Sequence, residues 1–86
     1  MISIFNNENC IFCVDNPDGL CFRLFNSNMQ QIAPENQVCV DFTDLPEGRY
    51  YVKAYNCQCK CEDREETDFY WNPPNAGDGN QNVPIN

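Results

Sequence analysis

Two short runs of alternating residues, separated by one turn, constrain this chain more than any other feature. Val38, Val40 and Phe42 alternate with Cys39 and Asp41, and Tyr50, Val52 and Ala54 alternate with Tyr51, Lys53 and Tyr55. A period of two puts each apolar set on one side of a strand. Leu45-Pro46-Glu47-Gly48 lies between the runs, so they read as half-buried strands joined by a turn. Strands of this kind become stable when their apolar faces close on a second sheet.

Other segments follow the same grammar. Ile2 to Phe5, Cys10 to Val14 and Leu20 to Phe25 are β-prone, with Met29 to Ala33 a short edge candidate. The strand before the turn runs from Gln37 to Phe42, and the one after it from Arg49 to Cys57, with room to continue to Cys61. Asn16-Pro17-Asp18-Gly19 is a turn, because Pro17 fixes φ and Gly19 accepts a positive value. No window has helical periodicity. The expected fold is an all-β, Ig-like antiparallel sandwich over residues 1–71, with Phe22, Leu24, Val38, Val40, Phe42, Leu45, Tyr50 and Val52 in one core. Residues 72–86 are rich in Asn, Pro and Gly and read as an extended C-terminal arm. Glu62 to Asp68 reads as a solvated acidic loop.

The chain has 86 residues, enough for one domain with a modest core. Its net charge of −8 repels phosphate backbones and anionic lipid heads, so neither nucleic acid nor membrane is an expected partner. The start, Met1-Ile2-Ser3-Ile4-Phe5-Asn6, lacks the basic and long apolar regions of a signal peptide. That favours a cytoplasmic protein or a virion component, with the cell surface as the alternative. There are 0 His, which removes the commonest general base, and no Gly-rich phosphate cradle, so no catalytic residue is assigned and an enzyme is not expected.

The apolar-x-Phe-x-x-Leu-Pro-x-Gly-x-Tyr-x-Val run, here Val40, Phe42, Leu45, Pro46, Gly48, Tyr50 and Val52 after an earlier strand with Phe22 and Leu24, resembles transthyretin-like (prealbumin-like) sandwiches. That group includes carboxypeptidase regulatory-like domains and the B-type repeats of bacterial surface proteins. The resemblance spans roughly residues 10 to 56 and implies a fold, since such sandwiches serve as stalks, adhesins, accessory modules and virion parts. The B-type repeats often hold a Lys–Asn isopeptide bond. Lys53 and Lys60 are the only lysines here, and neither lies in an early strand, so that bond is not carried over.

The 7 cysteines admit three readings. They are reduced and packed as small apolar groups; or Cys10 and Cys13 join two of Cys57, Cys59 and Cys61 around a structural Zn²⁺; or they form disulfides. Strand period would put Cys57, Cys59 and Cys61 on one face, with Tyr51 and Tyr55. With no signal sequence the reduced state ranks first. No cofactor other than that structural zinc is expected.

Two function classes remain. The first is a non-enzymatic structural or assembly protein, an acidic sandwich that docks on a larger protein lattice, such as a phage virion decoration or head-fibre protein, with protein partners and homo-oligomers both open. The second is a disulfide-stabilised cell-surface binding or adhesion module; a small zinc-binding protein ranks third. In the leading reading Tyr51, Tyr55, Phe69, Tyr70 and Trp71 anchor an interface, and Val83 and Ile85 plug a groove on the partner.

Overall fold

A computed structural model describes residues 1–59 and 63–73. Six strands follow in order: β1 (Ser3–Glu8), β2 (Ile11–Asp15), β3 (Cys21–Phe25), β4 (Cys39–Asp41), β5 (Gly48–Tyr55) and β6 (Asp63–Trp71). They form two antiparallel three-stranded sheets, ordered β1-β2-β4 and β3-β5-β6. The described residues contain no helix, as the lack of helical periodicity requires.

Turn chemistry sets the strand ends. Gly19 adopts φ 67° and its N–H donates to the Asn16 carbonyl (3.2 Å). The Asn16 side chain then brackets the backbone of Leu20, accepting from its N–H (3.2 Å) and donating to its carbonyl (2.5 Å). At the other end of β3, the Asn26 carboxamide oxygen accepts from the N–H of Asn28 (2.9 Å) and of Gln30 (3.0 Å). Asn56 does the same after β5, accepting from Gln58 (2.9 Å) and Cys59 (3.1 Å). These side-chain bonds compete with the sheet ladder and end the strand. β5 therefore stops at Tyr55, and Cys57 to Cys59 form a turn rather than one strand face.

The core lies between the sheets: Ile2, Val14, Val40 and Phe42 from one side meet Phe22, Leu24, Tyr50, Val52, Ala54 and Trp71 from the other. Leu45 is half-buried against it. Val38 is a correction. It shares the parity of Val40 but precedes β4 and is 54% exposed, because the sheet has ended before its side chain can be covered. Met29 to Ala33 is likewise not a strand; it makes one isolated bridge, Phe25 to Gln31.

Five rings join the sheets. Phe12 and Phe42 meet Tyr50, Phe69 and Trp71 at centroid distances from 4.8 Å (Phe12–Phe69) to 5.6 Å (Phe42–Trp71), in stacked, tilted and edge-on pairs. Two of the rings carry polar groups, and both groups reach the backbone of the β4–β5 turn. Tyr50 Oη donates to the Pro46 carbonyl (2.6 Å), and Trp71 Nε1 donates to the Leu45 carbonyl (3.1 Å). Burial of an aromatic donor is tolerated where such a partner exists.

The sequence's acidic run is a second correction. Asp63 to Trp71 is a nine-residue strand, paired with β5 from Gly48↔Trp71 to Tyr55↔Asp63. Exposure alternates along it, with Arg64, Glu66, Asp68 and Tyr70 outward and exposed. Glu65 tolerates the inward side at the sheet end, where its carboxylate accepts the Ile2 N–H (2.6 Å).

Tyr50 yields two expected outcomes. Tyr50→Ala removes a ring from the inter-sheet cluster and should lower unfolding free energy by about 3 kcal/mol or more, while Tyr50→Phe keeps the ring and should cost about 1 kcal/mol. Burial also raises the Tyr50 phenol above its ordinary range. A raised folded-state pKa means its contribution is whole below the unfolded value of about 10 and is lost as pH rises toward the folded value. Denaturant titrations above about pH 10 should show falling stability, and Tyr50→Phe should flatten that limb.

Candidate functional site: the outer face of the β3-β5-β6 sheet

The outward residues of β3, β5 and β6 form rows across the sheet. Cys21 stands opposite Tyr55; Arg23 opposite Lys53 opposite Glu66; Phe25 opposite Tyr51 opposite Asp68; and Arg49 opposite Tyr70. Arg23, Arg49 and Lys53 are three of the chain's 5 Lys and Arg. An acidic chain thus gathers cations on one face and interleaves them with rings. The Arg23 guanidinium lies 4.8 Å from the Tyr55 ring centroid, Lys53 Nζ 5.9 Å from that of Phe25, and the Arg49 guanidinium 6.0 Å from that of Tyr70. Such pairs contribute roughly 0.5–1 kcal/mol at exposed sites and hold long side chains flat on the sheet.

Two acidic groups order one end of this face. Asp68 Oδ2 pairs with Arg49 Nη1 (2.7 Å), and Glu47 Oε2 accepts from Tyr70 Oη (2.8 Å). That bond, with some burial and the Glu47 charge, raises the Tyr70 phenol above its ordinary value, although the Arg49 charge opposes it. Tyr70 itself is 52% exposed. At the opposite end Tyr55, outward by parity, is only 5% exposed, and its Oη has no hydrogen-bond partner among the described residues.

The interface residues read from the sequence therefore divide. Tyr51, Tyr55 and Tyr70 share this face; Tyr51 is half-buried. Phe69 and Trp71 do not: they point into the core, and Trp71 is 4% exposed. They occupy the inward positions of β6, whose first residues read from sequence as a solvated acidic loop. Val83 and Ile85, with most of the arm, lie outside the described residues. Arg23, Phe25, Arg49 and Lys53 were not among the expected interface residues. Their strand parity signals them, but their adjacency depends on strand order.

The cysteines are largely oxidised. Cys13 bonds Cys39 and Cys21 bonds Cys57; Cys59 is disulfide-bonded as well, and Cys10 is a free, half-buried thiol. This corrects the reduced-thiol expectation. Cys13 faces Cys39 directly across the β2–β4 ladder, and Cys21 lies on β3 beside the end of β5. It also withdraws Cys13, Cys57 and Cys59 from the proposed thiolate set of Cys10, Cys13, Cys57, Cys59 and Cys61, because a disulfide sulfur is no thiolate ligand. Among the described residues no group of three or more His, Cys, Asp or Glu is placed to hold a metal ion; Cys61 lies outside them.

A shallow groove of about 170 Å³ opens beside the turn, lined by Asn26, Ser27, Asn28, Pro46, Glu47, Gly48 and Tyr50. Small-molecule sites enclose roughly 300–1,000 Å³, so the groove is small for that use. No helix among the described residues is long and apolar enough to cross a membrane. Comparison with protein-family models, with characterised proteins and with solved structures found no match.

The thiol assignment has a direct check. Alkylation of the denatured, unreduced protein followed by peptide mapping should modify Cys10 and leave Cys13, Cys21, Cys39, Cys57 and Cys59 unmodified. Recovery of Cys13 and Cys39 in alkylated form would refute the pairing.

Proposed function

We propose that this chain is a non-enzymatic protein-binding module that docks on a larger protein assembly through the outer face of β3-β5-β6. The observation that carries the reading is the collection of Arg23, Arg49 and Lys53 with Phe25, Tyr51 and Tyr70 on one sheet face of a chain with net charge −8. Arg and aromatic side chains dominate the energetics of protein interfaces, and these are held in place before a partner arrives. Oxidised cysteines favour work in an oxidising setting, at a cell surface or outside the cell, over a reduced cytoplasmic assembly. The virion form of the same docking leans on the arm, whose residues 74–86 lie outside the described residues. A transthyretin-like relationship belongs to this proposal at the level of fold, on the Leu45-Pro46-Glu47-Gly48-Arg49-Tyr50 run.

Photo-crosslinking in the native host tests the face. Benzoylphenylalanine at position 70 should give discrete protein adducts, whereas the same group at exposed Thr43, on the loop after β4, should not. Arg23→Glu combined with Lys53→Glu should abolish the adducts at position 70. Both side chains are half-buried over rings, so unfolding free energy should fall by about 2 kcal/mol through the two lost cation–π contacts, with the fold retained by hydrogen exchange. Equal adducts at both positions, or none at position 70, would overturn the reading.

A further inference from the structure

A sandwich of two open sheets has four edge strands, and unpaired edges invite pairing with other chains. Three of the four are protected in recognisable ways. The β3 edge is covered by the segment that follows it: Ile32 N–H donates to the Leu24 carbonyl (3.0 Å), Asn36 N–H donates to the Phe22 carbonyl (2.9 Å), and Phe22 N–H donates to the Asn36 side chain (2.9 Å). β4 is only three residues long. β1 is interrupted by a register shift between Asn6 and Glu8. β6 differs. It has nine residues, and its irregularity is confined to the far end, opposite Ala54 and Tyr55. From Glu65 to Trp71 it runs in unbroken register with β5, and its other side pairs with no strand among the described residues.

Charge decides what could pair there. Glu66 and Asp68 are the outward, exposed residues at the middle of β6. A second copy is a weaker occupant: of the two-fold antiparallel registers that overlap most of the strand, two set Glu66 opposite Asp68 or Asp68 opposite Asp68 with no opposite-charge pair, and the third sets Glu66 opposite Glu66 while matching Arg64 with Asp68, which already holds Arg49. Like charges directly opposite are destabilising. A strand with Lys or Arg at the outward positions gains instead. Asp68 already holds Arg49, but a carboxylate has about four acceptor sites and can take a second cation. On the inward side such a strand would continue the row Thr67, Phe69, Trp71, where Phe69 is only half-buried and favours an apolar neighbour.

We propose that the β6 edge is a strand-addition site for an extended partner segment that alternates basic and apolar residues. Affinity comes from main-chain hydrogen bonds along β6, and selectivity from Glu66 and Asp68. The site adjoins the outer face of the sheet, since Glu66 and Asp68 belong to its rows, but it uses the open backbone of β6 and does not rest on the docking proposed for that face.

Synthetic peptides of alternating Lys and Val, and of alternating Glu and Val, can be titrated against the full chain by ¹⁵N NMR with hydrogen exchange. The Lys-Val peptide should bind roughly tenfold more tightly than the Glu-Val peptide and slow exchange of β6 amides, but not those of β1 or β4. Backbone N-methylation of the Lys-Val peptide should abolish binding, a control that needs no protein variant. Glu66→Lys should reduce or reverse the charge preference. Equal affinity for the two peptides, protection outside β6, or no binding at millimolar peptide would each overturn the proposal. So would a dimer in sedimentation equilibrium with protected β6 amides, since the second copy would then be the occupant.

Discussion

The contact of Phe12 and Phe42 with Tyr50, Phe69 and Trp71 is what makes two sheets into one domain. No described strand runs from one sheet into the other's ladder. Cohesion across the interface falls to side chains, and these five rings are the largest group there. Rings of this size bury roughly 150–250 Å² each, and edge-on and offset pairs gain beyond that area. The β4–β5 turn is held by the same group, because the Tyr50 hydroxyl and the Trp71 indole occupy the carbonyls of Pro46 and Leu45. The turn thus fixes the rings, and the rings fix the turn. Gly48, which opens β5 at φ 154°, completes the arrangement; a Cβ there would stand 3.4 Å from the Ser27 hydroxyl in a backbone region that L residues seldom adopt.

The disulfides divide the labour differently. Cys13–Cys39 ties β2 to β4 within one sheet, and Cys21–Cys57 ties β3 to the turn after β5 within the other. Neither crosses the core. Their sequence separations of 26 and 36 residues imply about 3 to 4 kcal/mol each on the chain-entropy model. For a domain this small, that is of the order of the whole net stability. Each bond pre-assembles a sheet, and the rings then have two preformed faces to join. The chain tolerates short strands such as β4 for this reason: Cys39 is anchored covalently where three residues of ladder would hold weakly.

Period-two alternation and turn chemistry made much of this legible. The strands on either side of the Leu45–Gly48 turn, the Asn16–Gly19 turn and six members of the core, Phe22, Leu24, Val40, Phe42, Tyr50 and Val52, follow from residues alone. Val38 failed because parity says which side a residue faces, not whether the opposing sheet extends that far. β6 failed because it carries Arg64, Glu65, Glu66 and Asp68, and apolar content is the signal by which strands are found. Its inward Phe69 and Trp71 were visible only as a cluster of aromatic residues. Alternation sets Cys39 on the side away from Val40 and Phe42, but the partners of Cys39 and Cys21 depend on which strands are neighbours, which no local pattern carries. The same gap hid Arg23 and Lys53, which meet only because β3 lies beside β5.

The charges of β6 tie these points together. A nine-residue edge strand built from Val and Ile would be easy to detect and hazardous to own, since its open side would pair with any copy of itself. The strand instead derives its stability from β5, from Phe69 and Trp71 on its inward side, and from Asp68 bonded to Arg49 on its outward side. Its outward row carries Arg64, Glu66, Asp68 and Tyr70. Glu66 and Asp68, which help conceal the strand from a reading of the sequence, are also the groups that would face a strand added at its open side, and the sign of their charge bears on which strands it can accept.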